Sequence, residues 1–202
     1  MADRVLVFPQ MEDRRVSESL YRKTRHEDTS QTQTVRTPSA MALDAQSVKW
    51  GNCQSNNGFD ANKKVKDVKR NIAVDRNGFI LGRYVSRAGI HDSRLATPVC
   101  EQVSDAWPSV RKGLVDRGYR GELIENIKLD FNIDIEVCST PNGTNGFSPK
   151  PLRWVVERTF SWPDGFRRLA RNYEISDASA EEMIDFATLK LLLKSCRTLK
   201  SI

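Results

Sequence analysis

The 202-residue chain has no apolar run approaching the roughly 20 residues that a membrane-spanning helix needs, which argues against a helical membrane protein. Its first residues, MADRVLVFPQMEDRR, lack the basic-then-apolar order of a secretory signal, and no other targeting segment stands out, so the cytoplasm is the default location. Cysteine is scarce and scattered: Cys53, Cys100, Cys138 and Cys196 form no C-x-x-C pair. Neither a zinc knuckle nor a disulfide framework is suggested, and the thiols read as reduced and ordinary. No internal repeat is visible.

What is present is the composition of a soluble globular protein, 39% hydrophobic and 29% charged, in a length that suits one domain with an appendage. A net charge of +6 and a pI near 9.2 favour a polyanionic partner. The cations gather in two places, Lys63, Lys64, Lys66, Lys69 and Arg70, then Arg153, Arg158, Arg167, Arg168 and Arg171. Each cluster taken alone reads equally well as solvated surface.

Residues 1–40 are polar, contain the run Thr29-Ser-Gln-Thr-Gln-Thr34 and lack periodicity, so they are expected to be a poorly ordered leader ahead of a domain spanning 41–202. Met41-Ala-Leu43 reads as a buried strand delivering Asp44 to its end. Arg76-Asn77-Gly78 between apolar runs predicts a hairpin, because Asn and Gly tolerate positive φ. Leu95, Val99, Val103 and Trp107 recur every four residues behind Asp92-Ser93, predicting a capped helix that packs on a sheet. Gly113-Leu-Val115 is a second strand running into an acid, Asp116, with Gly118 and Gly121 turning into a helix through Ile127. Ile133, Ile135 and Val137 alternate as a further strand, and Ser139 to Pro149 reads as a loop. A helix follows from Trp154, which Pro163-Asp164-Gly165 should break or kink, and Ser179-Ala-Glu-Glu182 reads as a capping box opening a last helix. This order predicts an α/β domain with a central mixed sheet flanked by helices.

Asp44, Asp116 and Glu157 are candidates for a carboxylate site. Phosphodiester chemistry without a covalent enzyme intermediate is commonly run by two divalent ions roughly 3.5–4 Å apart, and Mg2+ prefers oxygen ligands supplied by clustered acids. Spacing alone leaves alternatives open. Asp116 could simply cap the turn at Gly118, and Glu157, four residues after Arg153, could form an ordinary helix-surface ion pair. Asp60 and Asp75 are rival acids, one in a basic loop and one at the hairpin turn. Trp50 and Trp162 could stack on a base, but core packing is the simpler role; His91 is assigned none in catalysis.

Beyond spacing, Ala42-Leu-Asp-Ala-Gln-Ser-Val-Lys49, Phe59-Asp-Ala-Asn-Lys-Lys-Val-Lys66, Val115-Asp-Arg-Gly-Tyr119 and Arg153-Trp-Val-Val-Glu-Arg-Thr-Phe-Ser-Trp162 resemble, in order, the signatures of bacterial insertion-sequence DDE transposases. Lys69-Arg-Asn-Ile-Ala-Val-Asp-Arg-Asn-Gly78 and Gly89-Ile-His-Asp-Ser93 match between them. The resemblance implies a ribonuclease H-like fold and makes Asp44, Asp116 and Glu157 the catalytic, metal-holding triad for a pair of Mg2+ or Mn2+ ions. It further implies cleavage of transposon ends and strand transfer into target DNA, with DNA as partner and a homodimer on that DNA. Only 41 positions separate Asp116 from Glu157 (157 minus 116), which resembles the compact IS-five-like branch. The DNA-binding expectation falls on Lys63, Lys64, Lys66, Lys69, Arg70, Arg153, Arg158, Arg167 and Arg168, as salt-dependent phosphate contacts.

The chain departs from the family's pattern at Asp67 where glycine is usual, at Asn71 where histidine is usual, and at Pro163-Asp164-Gly165 where the third-acid helix normally continues. The segment before Asp44 is shorter and more polar than the family's N-terminal DNA-recognition region. A truncated remnant that only binds DNA, or competes with full-length enzyme, is therefore the alternative to an active transposase. An RNA-binding protein is a third reading with no use for three acids.

Overall fold

A computed structural model of the chain describes residues 37–51, 58–60, 65–138 and 151–199. Its centre is a mixed sheet of β1 (Ala40–Lys49), β2 (Gly58–Asp60), β3 (Val65–Val74), β4 (Ile80–Arg87), β5 (Lys112–Val115) and β6 (Asp134–Val137). The strands lie in the order β2-β3-β1-β5-β6, with β4 also paired to β3. With the short β2 set aside, β4, β3 and β1 are antiparallel neighbours while β1, β5 and β6 run parallel. That order, third-second-first-fourth-fifth along the chain, is the ribonuclease H-like sheet, as the sequence pattern implied.

The middle of this sheet is buried on both faces, and the sequence of β3 shows why. Val68, Arg70, Asn71, Ile72, Ala73 and Val74 are all buried, the near-continuous run of a strand covered on two sides rather than the alternation of a half-exposed one. At its end Asn77-Gly78 turns the chain, with Gly78 at φ 91°. Asp75 is buried there, and its Oδ1 accepts the Asn77 and Phe79 backbone N–H groups at 2.8 and 3.0 Å. This rival acid is part of the hairpin.

On one face sits α1 (Ala96–Ala106), entered through a 3-10 turn at Asp92–Leu95. Leu95, Val99, Val103 and Trp107 are buried as their spacing predicts. The turn's cap is His91, whose Nδ1 accepts from Ser93 N–H at 3.3 Å, one residue ahead of the Asp92-Ser93 start expected. Helix α1 packs on β4 closely enough that a Cβ on Gly82 would lie 2.9 Å from Val103 Cγ2 and 3.1 Å from the Val99 carbonyl. Gly82→Ala is therefore expected to lower stability by roughly 1–3 kcal/mol, an overpacking cost read from thermal unfolding. The outer edge of β4 is satisfied by side chains: Gln102 Oε1 accepts Arg83 N–H at 3.2 Å and Glu181 Oε1 accepts Val85 N–H at 3.0 Å.

Helix α2 (Glu122–Phe131) joins β5 to β6, and α3 (Pro151–Asp164) lies across β1 and β3. Val155, Val156 and Phe160 of α3 pack with Ala42, Ile72 and Val74 in one buried cluster. Pro163 falls in the last turn of α3, which stops at Asp164; a short helix α4 (Arg167–Ala170) follows. The expected break occurs, six residues beyond Glu157. Arg70 is buried under this junction, its Nη1 donating to the Leu169 carbonyl at 2.6 Å. Downstream, Asn172 bridges to Trp50, continuing the sheet past β1.

The last helix, α5 (Asp177–Leu199), begins before the expected capping box. Its first turn is capped by Ser176, whose Oγ accepts Ser179 N–H at 3.1 Å. Glu181, beside the Glu182 that the Ser-x-x-Glu pattern assigns to the box, reaches across to β4, where its Oε1 accepts the Val85 N–H. Thr37–Ile184 form one compact unit, and α5 from Asp185 onward belongs to a second. No helix among the described residues is long and apolar enough to cross a membrane. Most of the expected leader, the 139–149 loop and the Cys53 position lie outside the described residues; Cys100 and Cys138 are buried free thiols.

Candidate active site

Two strand registers bring the first two acids together. In the parallel pair, Ala42 lies opposite Leu114; two residues further on come Asp44, still within β1, and Asp116, the first residue past the end of β5. They therefore follow the last paired residues at equal distance along the two chains, just beyond the stretch that runs about 4.8 Å apart. The period of two residues per pleat puts the Asp44 side chain on the face shared by Ala42, and the antiparallel partner Ile72 lies on that face opposite Asp44. This is the face covered by α3, the helix that carries Glu157.

Asp44 is not at the end of its strand, as the sequence pattern suggested. Strand β1 runs on to Lys49 against β3, whereas its pairing with β5 stops at Ala42. The sheet thus opens between β1 and β5 at the point where both aspartates emerge, the usual place for a site in a sheet with parallel strands. Asp44 Oδ1 accepts its neighbour Ala45 N–H at 2.8 Å, and Asp116 Oδ1 accepts Gly118 N–H at 2.7 Å. The turn-capping role weighed for Asp116 is real and compatible with a ligand role, since a carboxylate has two oxygens.

Glu157 is exposed on α3, and among the described residues no three His, Cys, Asp or Glu side chains lie close enough to hold one metal ion. Asp44 and Asp116 both follow the last β1–β5 pair, and Glu157 is on the helix that packs over β1 and β3. That helix is fastened to the β3–β4 turn by the two residues that directly follow the acid. Arg158 Nη2 donates to the Asn77 carbonyl at 2.7 Å, and the buried Thr159 hydroxyl lies 3.1 Å from the Gly78 carbonyl. The Arg158 guanidinium also stacks over Trp154 and Trp162, at 4.9 and 5.4 Å from their ring centres.

The basic residues divide differently from the sequence expectation. Arg70 is not on the surface, and burial depresses its pKa to about 10, with Asp164 opposing that shift. Lys69 is mostly buried, with its Nζ on Asp92 Oδ1 at 2.9 Å and on the Ile90 carbonyl at 2.8 Å. Both were expected on DNA because sequence shows charge but not the strand's burial. Arg158 serves the hairpin turn as well. Arg167 and Arg168 are exposed, the latter 3.1 Å from Glu174. Lys63 and Lys64, and the side chains of Asp60, Lys66 and Arg153, lie outside the described residues.

Three residues beside the aspartates were missed. Arg117 and Arg120 are exposed in the turn directly after Asp116, with Arg120 Nε on the Arg117 carbonyl at 2.6 Å. Tyr119, between them in sequence, is only 2% exposed, and its hydroxyl has no hydrogen-bond partner. Burial holds this phenol well above its ordinary titration range, and the Asp44, Asp92 and Asp116 carboxylates push it further the same way. The motif Asp-Arg-Gly-Tyr was the available signal, since Tyr119 N–H closes the turn onto the Asp116 carbonyl at 3.3 Å.

The sheet order, with helices on its faces, is that of a ribonuclease H-like core. Residues 36–188 match the family profile described as Transposase DDE domain, and the chain belongs to that family. Over 113 residues it is 30% identical to a Burkholderia cepacia protein assigned as the transposase of insertion sequence element IS402, covering 52% of this chain and 53% of that protein. The chain thus spans about half the length of the curated relative it matches. Among solved structures, the catalytic domain of Mos1 mariner transposase aligns with a TM-score of 0.42 at 9% identity, covering 96% of this chain and 95% of that one. The catalytic core of BIV integrase aligns at 0.37 and 16% identity, covering 63% and 68%. The sheet order and the family match, rather than these distant likenesses, carry the assignment.

Proposed function

We propose that the chain catalyses DNA transposition of an insertion sequence, cutting the element's terminal inverted repeats and joining their 3′ ends to target DNA in the bacterial cytoplasm, as a member of the compact branch acting as a homodimer on DNA. The observation that supports it most is the matched register of Asp44 and Asp116 beneath the Glu157 helix. Their oxygens suit hard cations, and the unpartnered Tyr119 hydroxyl beside them suits a site completed by a ligand. Asp44, Asp116 and Glu157 would hold a pair of Mg2+ or Mn2+ ions. Such ions are bound by one or two carboxylates plus waters and phosphate, so three acids need not meet at one point. When bound, the pair would activate the attacking oxygen and stabilise the leaving one in an in-line displacement.

The chain's own residues supply position. Ala45 and Gly118 backbone N–H groups orient the two aspartates, and the Arg158 and Thr159 contacts fix α3 against the hairpin. Arg117, Arg120, Arg167 and Arg168 are among the exposed cations of the described residues and would contact phosphate, positioning DNA without reading its sequence.

The test incubates the purified chain with Mg2+ or Mn2+ and labelled duplexes carrying the inverted repeats that flank its coding sequence. Metal-dependent strand-transfer product supports the proposal; a folded sample that binds these duplexes and yields no product establishes the remnant reading instead. A finer check is Gly118→Ala. The new Cβ would sit 3.0 Å from Asp116 Oδ1 and turn that carboxylate, so product formation is expected to fall about tenfold, the scale of a lost orienting partner, with an unchanged melting temperature.

A further inference from the structure

Tyr119 is an anomaly that packing alone does not explain. A buried hydroxyl with no partner is destabilising, and phenylalanine would fill the same space without that cost. The ring is tied to the site by its backbone: Tyr119 N–H donates to the Asp116 carbonyl and Gly118 N–H to the Asp116 carboxylate, so the phenol is held on the turn that presents this acid. Three carboxylates, Asp44, Asp92 and Asp116, are near enough to act on it electrostatically. Asp44 is the foremost of the three, and Asp116 shares the phenol's own turn.

We propose that Tyr119 is a positioning residue of the carboxylate site, its hydroxyl donating to the Asp44–Asp116 pair when a divalent cation is bound and remaining unsatisfied when none is. The inference rests on these acids being metal ligands. Its consequence is a trade: the hydroxyl lowers the stability of the metal-free fold and raises the affinity of the site. Outer partners of metal ligands usually contribute 10–100-fold to affinity, by orienting the ligand and tuning its basicity.

The experiment compares the full chain, Tyr119→Phe and Asp116→Asn, each stripped of metal, by calorimetric titration with Mn2+ and by thermal unfolding with and without it. Tyr119→Phe is expected to melt at the same temperature as the parent or higher without metal, to bind Mn2+ about tenfold more weakly, and to gain less from Mn2+ on heating. Equal Mn2+ affinity in parent and Tyr119→Phe overturns the inference while leaving the site intact. A lower melting temperature of metal-free Tyr119→Phe also overturns it, because the hydroxyl would then have a structural partner. If the parent fails to bind Mn2+, or Asp116→Asn binds it equally well, the carboxylate site itself fails and takes this inference with it.

Discussion

Asp116→Asn is expected to fold as the parent does and to form no detectable strand-transfer product. The amide keeps an oxygen to accept Gly118 N–H, so the turn into α2 survives and the melting temperature should stay within the small range of a surface substitution. What it removes is the charge beside Asp44, at matching register on the next strand. Losing a partner of a metal ligand costs 10–100-fold, and losing a ligand should exceed that, so product should fall by more than roughly 100-fold. Asp44→Asn and Glu157→Gln should behave alike in the same Mg2+ and Mn2+ assay. A variant retaining the parent's rate would remove that acid from the site.

The second large effect falls on stability. Phe160→Ala empties the cluster that seats α3 on Ala42, Ile72 and Val74 and is expected to cost roughly 3–5 kcal/mol. At this chain length that is a fall in melting temperature on the order of 10 °C, measurable by circular dichroism or calorimetry. Phe160 lies one turn after Glu157, and Ala42 lies two residues before Asp44 on the same sheet face, so the cluster also sets the helix over the aspartates. Folded Phe160→Ala, kept well below its melting temperature, should accordingly bind Mn2+ more weakly than the parent. Unchanged melting would show that the cluster does not carry the helix.

Local pattern made much of this architecture legible. Asn77-Gly78 announced its hairpin through the positive φ that glycine adopts, and the spacing of Leu95, Val99, Val103 and Trp107 announced a helix with one buried face. Pro163 announced the end of α3 because proline withholds an N–H. The capping box at Ser179 misled, since the Ser-x-x-Glu pattern does not reveal that the helix already starts at Asp177, with Ser176 Oγ accepting the Ser179 N–H. Lys69 and Arg70 misled for a related reason. A run of cations looks like surface until the strand that carries it proves to be the second strand of a sheet covered on both faces.

The sequence by itself determined which acids to consider, the order of strands and helices, and, through its motifs, the transposase family. Those are properties of local periodicity and residue type. Only the tertiary structure decided that Asp44 and Asp116 stand at matching register where β1 and β5 part, that Asp75 belongs to a turn, and that Tyr119 brings an unpartnered hydroxyl to the same place. Register, burial and the pairing of polar groups arise between segments far apart in the chain, and no window along the sequence contains both members of such a pair.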